Sequence, residues 1–281
     1  MTEPVVVAVS EARTAHDAVT LGVTMARLLD APLVLAAVAV TPPAPAATVV
    51  PGWSPAITDA ADHVDRLHGE LDRLAATLPA DVRPGVRVLA APTAVAGLWE
   101  ACDLEHAGLL VLGESHLGPV LRTLRGDVAL GAVRHGGCAV LVARPAGDGL
   151  AVGPPKTIGV AWDRSPEAAE ALAVATDLAV RAGALLRILY VAPMIGAGDH
   201  ELAVVTAAAA ERVPAQEVLM AGDPGQRLIE AGDDLDLLVA GSRRTGPLSR
   251  VALGSVGAAL THHARCPVLV VPRGARVPAA A

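Results

Sequence analysis

Short apolar runs alternate with amphipathic stretches along the whole chain. Val5 to Val9 reads VVVAV and predicts a strand, Thr14 to Leu29 carries apolar residues at helical spacing, and Pro32 to Val40 is apolar on both faces, as a buried parallel strand requires. A Pro-rich loop from Thr41 to Pro55 leads to a long polar helix, about Thr58 to Leu78, on which Asp65, Arg66, Glu70, Asp72 and Arg73 form a solvated face. Val86 to Ala90, Thr93 to His106, Gly108 to Leu112 and Ala139 to Val142 continue as strand, helix, strand and strand.

The plan then repeats. Thr157 to Ala161 is a strand, and Ser165-Pro166 opens a helix as N-cap and first helical residue. Leu185 to Val191, Glu201 to Glu211 and Ala215 to Met220 read as strand, shortened helix and strand, after which Gly222-Asp223-Pro224 turns into a third helix. The run Leu237 to Ala240 is a buried strand stopping at Gly241, a fourth helix begins at Gly254-Ser255, and Pro267 to Val271 closes the series. Alternating βα units of this kind predict a parallel, doubly wound α/β sheet.

Self-similarity makes the duplication explicit. A shift of 128 residues lays Gly113 on Gly241, Gly118-Pro119 on Gly246-Pro247, Gly126 on Gly254, Cys138 on Cys266 and Val140-Leu141-Val142 on Val268-Leu269-Val270. Two domains follow, residues 1–147 and 155–274, joined by a flexible segment from Ala146 to Pro155. Each ends in a short apolar strand that would be a pairing hazard at a sheet edge, so the two are expected to cover each other in an internal pseudo-dimer.

Composition narrows the function classes. The chain has 281 residues, 53% of them hydrophobic, yet no apolar run approaches the ~18 residues of a membrane span. The N-terminus lacks a basic region ahead of its apolar run and three cysteines show no CxxC spacing, which together indicate a cytoplasmic protein with no membrane partner. A net charge of −7, with no Phe, one Tyr and three Trp, argues against a nucleic-acid surface. No Ser-His-Asp, HExxH or Walker A pattern occurs, and His262-His263 point about 100° apart on a helix, so neither a catalytic residue nor a metal site is assigned.

The chemistry concentrates in LLVAGSRRTGPLSRVALGSV, Leu237 to Val256. A strand, a glycine-edged loop and a helix start expose backbone N–H groups at the positive end of a helix dipole, an arrangement that favours an anion. Packing alone also places glycines in βα turns, and the residues by themselves leave both readings open.

With Gly241, two residues, Arg244, nine residues and Gly254-Ser255, the stretch resembles the G-x2-G-x9-G-[S/T] nucleotide loop of the universal stress proteins, with Arg244 in place of the second glycine. Asp163-Arg164-Ser165-Pro166-Glu167 resembles the family's D-G-S-P-E segment, Arg164 replacing Gly, and Gly222-Asp223-Pro224 its G-D/N-P turn. The resemblance implies two tandem Rossmann-like, adenine-nucleotide alpha-hydrolase-like domains, each a five-stranded parallel doubly wound sheet. It also implies that ATP or AMP, with Mg2+ in the case of ATP, is held by Ala161, Asp163, Gly222, Gly241, Arg243, Arg244, Gly254, Ser255 and Val256.

Arg244 adds a cation beside the expected phosphates, able to offset the 1–2 kcal/mol or so that a left-handed backbone would cost it. In the first repeat His116 takes the second glycine position, Asp127 the hydroxyl position and Ser10 the place of Asp163. A carboxylate beside a phosphate is repulsive by roughly 4 kcal/mol at an effective dielectric near 20, so the first domain is expected to have lost nucleotide binding. Three functions stay open: a nucleotide-binding stress-response signalling module with unknown protein partners, a weak ATPase or autophosphorylating protein, and a ligand-free interaction protein. Assembly into a homodimer is left open as well.

Overall fold

The computed structural model describes residues 2–10, 16–41, 55–113, 137–144, 153–192, 200–242 and 255–275. Its strands are β1 (Val5–Ala8), β2 (Leu33–Val40), β3 (Gly85–Ala91), β4 (Leu109–Leu112), β5 (Ala139–Val142), β6 (Thr157–Trp162), β7 (Leu185–Ala192), β8 (Ala215–Ala221), β9 (Leu237–Ser242) and β10 (Val268–Pro272). The helices are α1 (His16–Leu29), α2 (Pro55–Ala76), α3 (Ala94–Glu105), α4 (Pro166–Ala182), α5 (His200–Ala210), α6 (Pro224–Ala231) and α7 (Ser255–His263). The Pro-rich loop at 42–54 and the linker at 145–152 lie outside the described residues.

All ten strands form one sheet in the order β3-β2-β1-β4-β5-β10-β9-β6-β7-β8. Within each set of five the order is third, second, first, fourth, fifth, and every pair is parallel. The expected doubly wound sheets are thus found, fused edge to edge. Strand β9 runs past Ala240 to Ser242, where the apolar pattern alone ends it, because Gly241 and Ser242 pair with Val271 and Pro272 of β10.

One sheet face packs against α1, α2, α4 and α5, through residues such as Val23, Leu71, Leu178 and Leu202. The other packs against α3, α6 and α7, through Leu98, Leu228 and Leu260. Both cores are built from Ala, Val and Leu, small side chains that let helices lie close to the strands. The outer strands carry exposed polar residues, Arg87 on β3 and Gln216 and Glu217 on β8, which discourage further edge pairing.

The halves join where β5 and β10 pair antiparallel, Val140 opposite Val270, Leu141 opposite Leu269 and Val142 opposite Val268. Just beyond β5, Arg144 is only 6% exposed and donates from Nη2 to the carbonyls of Leu260 and Thr261, both at 2.7 Å. These belong to the last turn of α7, where Leu260 O also accepts from Ala264 N at 3.0 Å and the helix dipole favours a cation. A residue of the first half therefore caps a helix of the second. Among the described residues, no helix is long and apolar enough to cross a membrane.

Arg144→Met should cost about 1–3 kcal/mol in urea denaturation, because the Thr261 carbonyl loses its charged donor and the Leu260 carbonyl keeps only Ala264 N, and should speed hydrogen exchange in residues 260–263. An unchanged midpoint and unchanged exchange would show that the cap contributes nothing.

Candidate functional site

In an open parallel sheet, ligands settle beyond the carboxyl ends of the strands where the chain changes winding direction. In the second half that point lies between β6 and β9: from β6 the chain winds outward through β7 and β8, and it then returns to the other side of β6 as β9. Asp163 follows β6 directly, and Gly241 and Ser242 end β9. The switch point thus brings together two of the stretches singled out in the sequence.

The turn after β6 is tightly built. Asp163 Oδ1 accepts from Ser165 N at 3.0 Å, and Ser165 Oγ caps α4 by accepting from Ala168 N at 3.1 Å, with Pro166 in the first turn. Between them Arg164 sits at φ +66°, a left-handed conformation that explains why glycine suits this position. Its guanidinium lies 4.7 Å from the ring centre of Tyr190 on β7 and pairs with Glu201 on α5 at 3.0 Å. A cation over an aromatic face and an ion pair offset part of the backbone strain. Nothing in the spelling D-R-S-P-E announces these contacts.

Gly241 faces the first turn of α4. A side chain there would collide with the Glu167 carbonyl group and lie 3.0 Å from Ala168 N, so helix packing by itself demands glycine. Ser242, alternate on the strand, lies on the opposite sheet face; it is 4% exposed, and its Oγ has no hydrogen-bond partner among the described residues. Trp162 Nε1, at the end of β6, is buried and unpartnered in the same sense. An unsatisfied buried hydroxyl and indole at a sheet's carboxyl edge are costly unless a ligand or water completes them. Ser242 stood inside the sequence motif but as an unassigned spacer residue; its burial is what draws it out.

The third stretch approaches from the α6 and α7 face. Gly222 at φ +125° turns the chain out of β8, Asp223 Oδ1 caps α6 by accepting from Gln226 N at 2.9 Å, and Pro224 starts the helix. Arg227 folds back to donate from Nε to the Ala221 carbonyl at 2.8 Å and pairs with Glu230 at 2.7 Å. Hydrogen bonds from Gln226 and then Arg227 hold the Glu230 carboxyl below its usual range. Helix α6 packs on α7, with Gly225 next to Ala259, one turn beyond Ser255 and Val256 at the α7 start.

Of the sequence-predicted residues, Ala161, Asp163 and Gly241 stand at the switch point, Gly222 follows β8, and Ser255 and Val256 open α7. Arg243, Arg244 and Gly254 lie outside the described residues, as do His116, Gly126 and Asp127 of the first repeat. Cys102, Cys138 and Cys266 are free and buried; burial pushes the Cys266 thiol up to about 11, so it packs as a neutral group at pH 7. Among the described residues no group of three or more His, Cys, Asp or Glu is placed to hold a metal.

Comparison with known proteins agrees with this architecture. The profile of the universal stress protein family matches residues 1–144 and 195–272, leaving the Asp163 segment outside the matched spans. A universal stress protein of Mycobacterium tuberculosis is 33% identical over 185 residues, covering 59% of this chain and 62% of the relative, so the match spans about three-fifths of that protein's length. The crystal structure of a universal stress protein from Archaeoglobus fulgidus superposes with a TM-score of 0.73 at 16% identity, over 98% of this chain and 100% of that one. A putative universal stress protein from Pseudomonas aeruginosa gives 0.60 at 15% identity, over 96% and 93%. These two likenesses concern the fold.

Two substitutions test the geometry. Gly241→Ala should destabilise by about 1–3 kcal/mol, since backbone of α4 must shift to admit a methyl group; unchanged stability would mean α4 is not seated on β9. Arg164→Gly should be more stable than Arg164→Ala by about 1 kcal/mol, since both lose the side-chain contacts and only alanine keeps the left-handed strain. Equal denaturation midpoints would contradict the positive φ.

Proposed function

Since the chain belongs to the universal stress protein family, we propose that its second half, residues 155–274, binds an adenine nucleotide, ATP or AMP, and signals occupancy to a protein partner. Three helix starts, at Pro166, Pro224 and Ser255, follow strands of one parallel set and therefore lie toward one edge of the sheet. The observation that carries the reading is the switch point itself, with Asp163 on one side and the buried, unpartnered Ser242 hydroxyl on the other. Base and ribose fit beside Asp163 and Ala161. The phosphates fit the α7 start, where free N–H groups and the helix dipole favour an anion, with Gly254, Ser255 and Val256 as donors and Arg243 and Arg244 as countercharges. Mg2+ would accompany ATP as its complex.

Residues 1–147 form the other domain and act as a structural and partner-facing half. Asp127 puts a like charge where Ser255 stands in the second half, and Ser10 takes the position of Asp163. A cytoplasmic setting belongs to the same reading. The chemistry assigned to the site is binding and not turnover, because the residues lining it hold, orient and neutralise without an assigned base for a water.

The test is the nucleotide content of protein denatured after purification, followed by titration with Mg-ATP read by calorimetry and by tryptophan emission. About one nucleotide per chain is expected, with affinity falling by about tenfold or more in Ser255→Asp, as a like-charge clash with the phosphates dictates. No bound nucleotide and no heat would replace this reading with that of a ligand-free interaction protein. Release of phosphate or self-labelling from γ-labelled ATP would instead make it a slow ATPase or autophosphorylating protein.

A further inference from the structure

Away from the nucleotide edge, a cavity of about 640 Å³ runs along the outer side of α1, between the two halves. On α1 it is lined by His16, Val19, Val23 and Leu28, with Thr20, Thr24 and Arg27 between them, one stripe at three- and four-residue spacing. At 1.5 Å per residue this stripe is about 18 Å long, so the cavity is a slot and not a bowl. Leu74, Leu78 and Pro79 at the end of α2 form a second wall, and Arg181 of α4 closes one end together with Gly153 and Pro154. The slot therefore touches both members of the tandem.

Its polarity is uneven. Thr24 and Thr77 spend their hydroxyl donors on nearby helix carbonyls, that of Thr20 at 3.0 Å and that of Leu74 at 2.7 Å, which leaves the length of the slot mostly hydrocarbon. Arg27, near the Arg181 end, is held by Asp81 in a fork at 2.9 and 2.8 Å. Arg181 donates from Nη1 to the Leu28 carbonyl at 3.4 Å, a long bond that uses one of a guanidinium's five N–H groups. No carboxylate is found among the described residues that line this slot; Asp81, beside it, takes up the charge of Arg27, and Arg181 supplies the cation at that end.

The geometry points to a binding site for a long-chain carboxylate, a fatty acid whose alkyl tail lies along α1 and whose head group meets Arg181. The volume lies within the 300–1,000 Å³ or so typical of small-molecule sites, and the shape, one apolar slot ending in a guanidinium, complements a ligand that is apolar along its length and anionic at one tip. A bound tail would contact α1 and α2 of the first half and the head group α4 of the second. The site is separate from the nucleotide reading and does not depend on it.

The test uses the full chain, stripped of lipid on a hydrophobic resin and titrated with the fluorescent probe 11-(dansylamino)undecanoic acid. One probe should bind per chain and be displaced by laurate, and by dodecanol only at about tenfold higher concentration, the loss expected when a charged hydrogen bond is removed. Arg181→Met should weaken laurate by a similar factor and leave dodecanol unchanged, while Thr24→Trp, which fills the slot, should abolish probe binding with the far-ultraviolet dichroism intact. If Thr24→Trp fails to fold, the contrast between laurate and dodecanol in Arg181→Met decides alone. No probe binding by the wild type, laurate no better than dodecanol in the wild type, or laurate undiminished in Arg181→Met, overturns the proposal.

Discussion

The antiparallel pairing of β5 with β10 is the joint on which the rest of the structure depends. Each half ends in a strand buried on both faces, and such a strand, left at an edge, would present a row of unpaired N–H and C=O groups to any other chain. Pairing the two removes both edges at once and makes ten strands continuous. The outer edges that remain, β3 and β8, carry charged and polar residues. Arg144 reinforces the same joint, since a residue just past one terminal strand satisfies the last carbonyls of the helix leading into the other. The two bonds from Nη2 offset part of the cost of burying that guanidinium.

A core of Ala, Val and Leu without phenylalanine sets the second constraint. Small side chains bring helices close to the sheet, and close approach is what makes Gly241 necessary against the Glu167 carbonyl group. The same closeness buries Ser242 and Trp162 at the carboxyl edge. The switch point between β6 and β9 therefore has polar atoms left to be completed on both sheet faces, Trp162 Nε1 on the α4 side and Ser242 Oγ on the other. Scaffold and site share one cause.

Much of this was legible in the sequence because period and punctuation carry it. Ser165-Pro166 and Asp223-Pro224 are local signals, a capping side chain followed by a residue with fixed φ, and both caps form. The 128-residue shift gave the duplication, since matched strands leave matched residues. Three things were not legible. Arg164 reads as a broken glycine motif, but its left-handed backbone is supported by Tyr190 and Glu201, residues 26 and 37 positions away that only the fold makes neighbours. Gly241 reads as a ligand glycine, while a helix start some seventy residues earlier supplies a sufficient reason for it. Arg144 carries no signal at all in the sequence, because a helix cap donated from the other half has no local spelling.

The central claim is that the second half alone holds the nucleotide, at the switch point. Photolabelling with 8-azido-ATP and mapping of the labelled peptides tests it most directly. Label confined to peptides from residues 157–192 and 237–263, and lost on competition with ATP, is the predicted result. Label in the first half, or spread along the chain and indifferent to ATP, would contradict it.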